Sequence, residues 1–158
     1  MQGSVSFGSQ SFKLTNDLGQ RDHTHGVRDW TGIGNWLYYV IWFSEKFACN
    51  PAAIISDEGK VSTGGFIFKN GRNIAIKEIR VLDQQFSDNI LPINSKLQLL
   101  DEDGKTHVLT GKAGPTVPIP FASKKGEISI LTQSFGTFEM DGVSNGYGTF
   151  ETLRATRR

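Results

Sequence analysis

The sequence predicts an all-β protein, an antiparallel β-barrel or barrel-like sandwich of about eight to ten strands. Three observations support this prediction. Apolar side chains alternate with polar ones along most segments, which is typical of half-buried strands. Turns rich in glycine and asparagine separate these segments, as they do in β-hairpins. In residues 35–43, every residue after Asn35 is apolar and most are aromatic or β-branched, so this strand must be covered on both faces.

The strands follow one another in chain order. Val5 with Phe7, and then Phe12 with Leu14, alternate with serine, glycine or lysine and predict two half-buried strands. The strand over residues 35–43 divides into two faces. Its members are Trp36, Tyr38, Val40 and Trp42 on one face, and Leu37, Tyr39, Ile41 and Phe43 on the other.

Two hairpins form the middle of the chain. Residues 61–69 and 73–82 flank Asn70-Gly71, a turn sequence favoured because both positions need positive φ. The second arm changes phase near Glu78, which predicts a β-bulge. Residues 95–100 pair with residues 106–110 across an acidic, glycine-containing turn.

The last third continues the pattern with one interruption. Residues 114–120 contain three prolines and are predicted to form an extended crossing loop, because proline cannot donate in a central strand. Residues 127–135, 136–140 and 147–155 complete the strands. The only helix expected is a short one at residues 84–89, with a turn at 44–49 as the alternative. A closed barrel of about eight strands has room for one small ligand, which predicts an interior pocket.

Composition and charge narrow the function. We expect one domain over residues 1–158, because a chain of this length builds a single core. Seventeen basic and sixteen acidic side chains leave a net charge of +1, which gives no electrostatic reason to expect nucleic acid or an anionic membrane as the main partner. Cys49 is the only cysteine, the N-terminus lacks a signal-peptide pattern, and the longest apolar run is too short to insert into a membrane. A cytoplasmic protein is expected.

One segment, residues 19–30, breaks the alternation. Its last ten residues hold two arginines, two aspartates and two of the three histidines, and they end in Trp30. Three interpretations are open. The segment is an Arg–Asp network that closes one end of the barrel, or an active site in which a histidine or aspartate is the general acid or base. Alternatively, it is a metal site in which Asp29 or His107 joins His23 and His25.

The same segment resembles the signature G-x-R-D-H-S-W-G-x-R-D-W. This signature belongs to the lipocalin-like family that contains carotenoid 1,2-hydratases (hydroxyneurosporene synthases) and AttH-like proteins. Residues 146–151 resemble the family's closing G-x-G-x-x-E strand, and residues 65–71 fit its middle, so the resemblance covers residues 17–154. The signature's serine is Thr24 and its tryptophan is His25 in this chain. The resemblance is to the second barrel of a tandem pair, which implies that a homodimer could replace the tandem interface.

The resemblance implies an enzyme that needs no redox cofactor, and we expect neither a cofactor nor a bound metal. Its substrate would be an apolar terpenoid, polyene or polyketide, and its chemistry an acid–base hydration, isomerisation or cyclisation. The predicted catalytic residues are His23, His25, Asp22, Asp29 and Arg28. The predicted ligand-binding residues are Arg21, Trp30, Trp36, Tyr39, Tyr147 and Glu151. Two alternatives are a non-catalytic protein that binds a hydrophobic small molecule, and a metal-dependent barrel enzyme that uses His23 and His25.

Overall fold

The computed structural model describes residues 2–27, 29–56, 58 and 60–156, and this part of the chain contains ten β-strands. The strands are β1 (Gln2–Phe7), β2 (Gln10–Thr15), β3 (Asn35–Ser44), β4 (Phe47–Ile55), β5 (Val61–Lys69), β6 (Arg72–Ser87), β7 (Leu91–Asp101), β8 (Thr106–Ala122), β9 (Ile128–Met140) and β10 (Val143–Thr156). Strands β3 to β10 close a barrel in the order β10-β3-β4-β5-β6-β7-β8-β9, and all neighbours are antiparallel. The predicted fold class is confirmed.

Strand β3 has the two apolar faces that its sequence predicts. Leu37, Tyr39 and Ile41 are buried and belong to the core inside the barrel. Trp36 and Tyr38 lie on the opposite, outer face and are half-buried. Because alternate residues of a strand point to opposite faces, the aromatic run covers both sides of the barrel wall.

The barrel interior is a packed core. The rings of Tyr39 and Phe150 lie 4.3 Å apart, those of Tyr39 and Phe138 5.6 Å, and those of Phe138 and Phe150 5.8 Å. All three rings are buried. These rings occupy the space in which the sequence analysis placed an interior pocket.

Tyr39 is therefore a core residue, which corrects its predicted role in ligand binding. Its hydroxyl donates a hydrogen bond to Ser95 Oγ over 3.2 Å inside the barrel. Burial raises the pKa of this hydroxyl well above its ordinary value.

The hairpins of the middle region are confirmed. Strands β5 and β6 pair from Lys69 with Arg72 around the Asn70-Gly71 turn, and β7 pairs with β8 from Leu100 with Thr106. The predicted bulge lies between Ile76 and Glu78. The short helix predicted at residues 84–89 is wrong, because β6 continues to Ser87 and pairs with β7. None of the described residues forms a helix long and apolar enough to cross a membrane.

Strand β8 corrects the predicted crossing loop. It runs unbroken through the three prolines, with one register shift between Ala113 and Thr116. From Thr116 onward β8 pairs with β9 alone, because its pairing with β7 ends at Lys112. The prolines thus lie on a free edge, where no neighbouring strand requires the N–H group that they lack.

Strands β1 and β2 form a separate two-stranded sheet. The predicted alternation is present, but the prediction of half-buried strands is wrong. Val5 and Phe12 are exposed, and Phe7 is 82% exposed. Only Leu14 is half-buried in this ribbon.

A polar network centred on the buried His107 joins two hairpin turns at one end of the barrel. His107 Nε2 lies 2.9 Å from Asp101 Oδ2, and His107 Nδ1 lies 2.6 Å from Asp141 Oδ2. Asp101 also accepts from the Lys105 amide, and Asp141 from the Val108 amide. Burial raises the pKa of each aspartate, but the hydrogen bonds from His107 and the backbone amides outweigh it, so both pKa values lie below the usual range.

This network predicts a loss of stability in acid. Carboxylates whose pKa is lowered by folding contribute stability above their unfolded pKa of about 4, and lose it as the pH falls below that value. Replacing both Asp101 and Asp141 by asparagine should lower the free energy of unfolding at neutral pH by about 2 kcal/mol or more. It should also flatten the decline below about pH 4. Urea unfolding over a pH series measures both effects, and a variant curve parallel to that of the unsubstituted protein would contradict the prediction.

Candidate functional site

The candidate site lies on the outer face of the barrel, under the segment that the sequence analysis singled out. We call residues 19–30 the motif segment; its described part covers residues 19–27 and 29–30. Gln20 Nε2 donates a hydrogen bond to the Tyr38 hydroxyl over 3.3 Å. At its other end, the Trp30 ring stacks on Phe121 at 4.6 Å and packs against Trp36 at 5.4 Å. The segment is thereby anchored across β3 and β8.

Three polar side chains form a row across neighbouring strands at the centre of this face. Glu151 of β10 lies opposite Tyr38 of β3 on one side and opposite Gln133 of β9 on the other. Gln133 Nε2 donates a hydrogen bond to the Glu151 carboxylate. We call Gln133, Glu151 and Tyr38 the polar row. Register alone aligns these residues, since directly paired positions point to the same face of a sheet.

Two cavities adjoin at the polar row. The smaller has a volume of about 340 Å³ and the larger about 600 Å³. Asp22 of the motif segment and all three residues of the polar row line both cavities. The other walls of the smaller cavity include Val40, Trp42, Phe135, Tyr147 and Thr149. Those of the larger include Trp30, Ile33, Trp36, Ala52, Ile54 and Leu131.

The polar row combines an acid with a protonated phenol. Burial raises the pKa of Tyr38, and the negative charge of Asp22 acts in the same direction. Tyr38 therefore keeps its proton at neutral pH and can serve as a hydrogen-bond donor. Asp22 and Glu151 place carboxyl groups beside aromatic walls, and such carboxyl groups can serve in general acid–base catalysis.

The structure brings several predicted site residues together. Trp30 and Trp36 line the larger cavity, Tyr147 lines the smaller one, and Glu151 lines both. Asp22, predicted as catalytic, also faces both cavities. Arg21 lines a third cavity of about 420 Å³ on the other side of the motif segment, next to Trp42 and Asn50.

His23, His25 and Asp29, which were also predicted as catalytic, do not lie at the polar row. His23 and His25 are exposed, with their rings in edge contact at 4.5 Å, and they line none of the three cavities around the motif segment. Asp29 accepts hydrogen bonds from the Thr31 hydroxyl and amide and from the Gly32 amide, and these bonds lower its pKa. This aspartate therefore stabilises its own turn. Arg28 lies outside the described residues.

No group of three or more His, Cys, Asp or Glu side chains among residues 2–27, 29–56, 58 and 60–156 is arranged to hold a metal ion. His107 belongs to the polar network with Asp101 and Asp141, and Asp29 to its turn. The structure thus does not bring either residue to His23 and His25 as a third ligand.

Sequence reasoning missed Tyr38 and Gln133 as site residues. Tyr38 was one of four side chains on an apolar strand face, and Gln133 belonged to an ordinary alternating strand. The available signal was the spacing of Tyr147 and Glu151, which predicts that both point to the same face. Only the register of β9, β10 and β3 reveals which residues stand beside Glu151.

Buried polar atoms without a partner also occur on this side of the barrel. Among the described residues, such side-chain atoms are Trp36 Nε1, Trp42 Nε1 and Ser129 Oγ. Trp36 lines the larger cavity and Trp42 the smaller one. Most buried polar groups in folded proteins are hydrogen-bonded, and exceptions are concentrated where function outweighs stability.

The fold and the site define a class: a closed antiparallel β-barrel with a groove of adjoining cavities on its outer face. The chain belongs to the family described as Domain of unknown function (DUF7064), which matches residues 1–156. No curated protein matches the chain significantly.

Proposed function

We propose that this protein is a cofactor-independent enzyme that acts on an apolar terpenoid, polyene or polyketide by acid–base chemistry. The substrate lies in the groove on the outer face of the barrel and not in its interior. The proposal is supported by the position of Glu151 and Tyr38, which meet Asp22 where two aromatic-lined cavities adjoin. The resemblance of residues 19–30 to the signature of the lipocalin-like hydratase family supports the same reaction class.

The polar row suits the protonation of an alkene. A carboxyl group at Glu151 or Asp22 transfers its proton to an alkene carbon, and the neighbouring carbon becomes a cation. The faces of Trp36 and Trp30 stabilise positive charge in the larger cavity. Water then adds and returns one proton to the carboxylate, or the cation loses an adjacent proton to it. The first path is a hydration and the second an isomerisation, and both restore the acid.

Binding without catalysis is the second candidate function. It is favoured by the exposure of His23 and His25 and by the role of Asp29 in its turn, because these leave the motif segment with a mainly structural task. The same groove would then hold an apolar ligand, while the polar row would only orient it.

A deuterium experiment separates the two functions. The protein is incubated in heavy water with farnesol or squalene, and carbon-bound deuterium is measured by mass spectrometry. An enzyme of the proposed class exchanges or adds deuterium at carbon, because each path passes a solvent proton to carbon. If the protein only binds its ligand, the same terpenoids displace the neutral dye N-phenylnaphthylamine from it, but no deuterium is added at carbon. If the protein binds no dye and no deuterium appears at carbon, both candidate functions are contradicted.

Compartment and assembly complete the proposal. The free thiol of Cys49 is buried and is compatible with a reducing compartment, for which we propose the cytoplasm. A homodimer formed through the outer face of β3, β9 and β10 would exclude water from the groove. Size-exclusion chromatography with light scattering measures this assembly directly.

A further inference from the structure

We infer that the groove selects ligands with two apolar arms of unequal size joined by a central hydrogen-bonding group. This inference rests on the proposed function and names the substrate class of the same site. The inference is based on the position of the polar row between the two cavities. Each cavity extends away from the row and has mainly apolar walls.

Strand β3 sets the distances. Trp36, Tyr38, Val40 and Trp42 follow one another on the outer face, with Trp36 in the larger cavity and Val40 and Trp42 in the smaller one. At about 3.3 Å per residue, the line from Trp36 to Trp42 spans roughly 20 Å. Tyr38 lies about a third of the way along it, but the larger cavity is not limited to the β3 side, because Trp30 and Ile33 also line it. A ligand that reaches both tryptophans therefore places an internal atom, and not its end, at the polar row.

The cavity volumes set the sizes of the arms. The larger cavity, of about 600 Å³, is lined by Ile33, Ile54 and Leu131 in addition to two tryptophans. The smaller cavity, of about 340 Å³, is narrowed by Tyr147 and Phe135. Burial of apolar surface stabilises a bound ligand in proportion to the area removed from water. A ligand with one longer and one shorter arm gains this stabilisation on both sides of the row.

The polar row specifies the central group. The Tyr38 hydroxyl accepts a hydrogen bond from Gln20 and can donate its own hydrogen. Burial of a ligand oxygen beside a donor is favoured over burial without one. A carbonyl, ether or hydroxyl oxygen in the middle of the ligand can accept a hydrogen bond at this position, whereas an unbroken hydrocarbon offers no acceptor.

Three probes test the inference by displacement of N-phenylnaphthylamine: methyl octyl ketone, butyl octyl ketone and tridecane. Both ketones share the longer arm, and only the second has a substantial shorter arm. The unsubstituted protein should bind butyl octyl ketone about tenfold or more tightly than methyl octyl ketone, because three further methylene groups are buried. It should bind tridecane more weakly than butyl octyl ketone, and Tyr38→Phe should reduce this difference.

Variants that fill one cavity at a time show whether the groove holds two arms of a ligand or only one. Thr149 lines only the smaller of the two adjoining cavities and Ala52 only the larger, so Thr149→Trp and Ala52→Trp fill them separately. Thr149→Trp should abolish the tighter binding of butyl octyl ketone and leave the affinity for methyl octyl ketone unchanged. Ala52→Trp should weaken the binding of both ketones. The matched control Thr110→Trp replaces an exposed threonine of β8 and should change neither affinity.

Each remaining outcome overturns the inference. If Thr149→Trp weakens the binding of both ketones equally, or changes the binding of neither, the groove binds apolar ligands but does not hold two arms. The same conclusion follows if the unsubstituted protein binds both ketones equally well. If it binds neither the dye nor any of the three probes, the proposed function fails, and the inference fails with it.

Discussion

Replacing Glu151 by glutamine is expected to lower the rate of deuterium incorporation at carbon by about a hundredfold or more. Glutamine keeps the shape of the side chain but cannot transfer a proton at neutral pH. The amide also preserves polar contact with Gln133, so the groove should retain its affinity for N-phenylnaphthylamine. The measurement compares the two proteins on whichever of farnesol and squalene incorporates deuterium.

The controls for Glu151→Gln are chosen from the same chain. Glu139→Gln changes an exposed carboxylate of β9 that lines none of the three cavities, and it should leave the rate unchanged. Asp22→Asn and the pair His23→Ala and His25→Ala identify the acid if it is not Glu151. An undiminished rate in Glu151→Gln, together with a large loss in the histidine variants, would return the catalytic role to the exposed histidines.

Replacing Gly148 by alanine is expected to have a large effect on stability. A Cβ atom at this position of β10 would lie 1.8 Å from the Val40 carbonyl oxygen, and 2.8 Å from its carbon. Strands β10 and β3 would have to separate to admit it, because both contacts are with backbone atoms. The free energy of unfolding should fall by about 3 kcal/mol or more, as measured by urea denaturation.

Gly64→Ala provides the matched control. Gly64 also lies in a barrel strand, but a Cβ atom there meets no atom within 4 Å. This variant should therefore change the free energy of unfolding by less than about 1 kcal/mol. Equal stability of the two variants would show that the close approach of β10 to β3 does not require glycine at position 148.

The sequence was sufficient for the fold class because its signals are local. The Asn70-Gly71 turn needs positive φ at both positions, and the structure has φ values of 50° and 85° there. The phase change near Glu78 likewise identified a bulge. Strand β8 was mispredicted for the opposite reason: whether proline is tolerated depends on whether a neighbouring strand needs its N–H group, and that neighbour is distant in sequence.

The location of the site could be predicted only in part. Both faces of β3 are apolar, so alternation separates Tyr38 from Tyr39 but does not say which one points into the barrel. The answer depends on Phe138 and Phe150, which fill the interior together with Tyr39. Trp30 and Glu151 were identified from the motifs that contain them. Gln133 needed the pairing of β9 with β10, which a single sequence does not provide.

The free edge of β8 also has a consequence for self-association. An exposed strand edge can template the addition of a strand from another molecule, which leads to aggregation. Pro118 and Pro120 are two residues apart, and both pair with β9. The N–H groups that they lack would point to the same, open side of the strand. On that side neither proline offers a hydrogen-bond donor to an incoming chain, which disfavours the addition of a further strand.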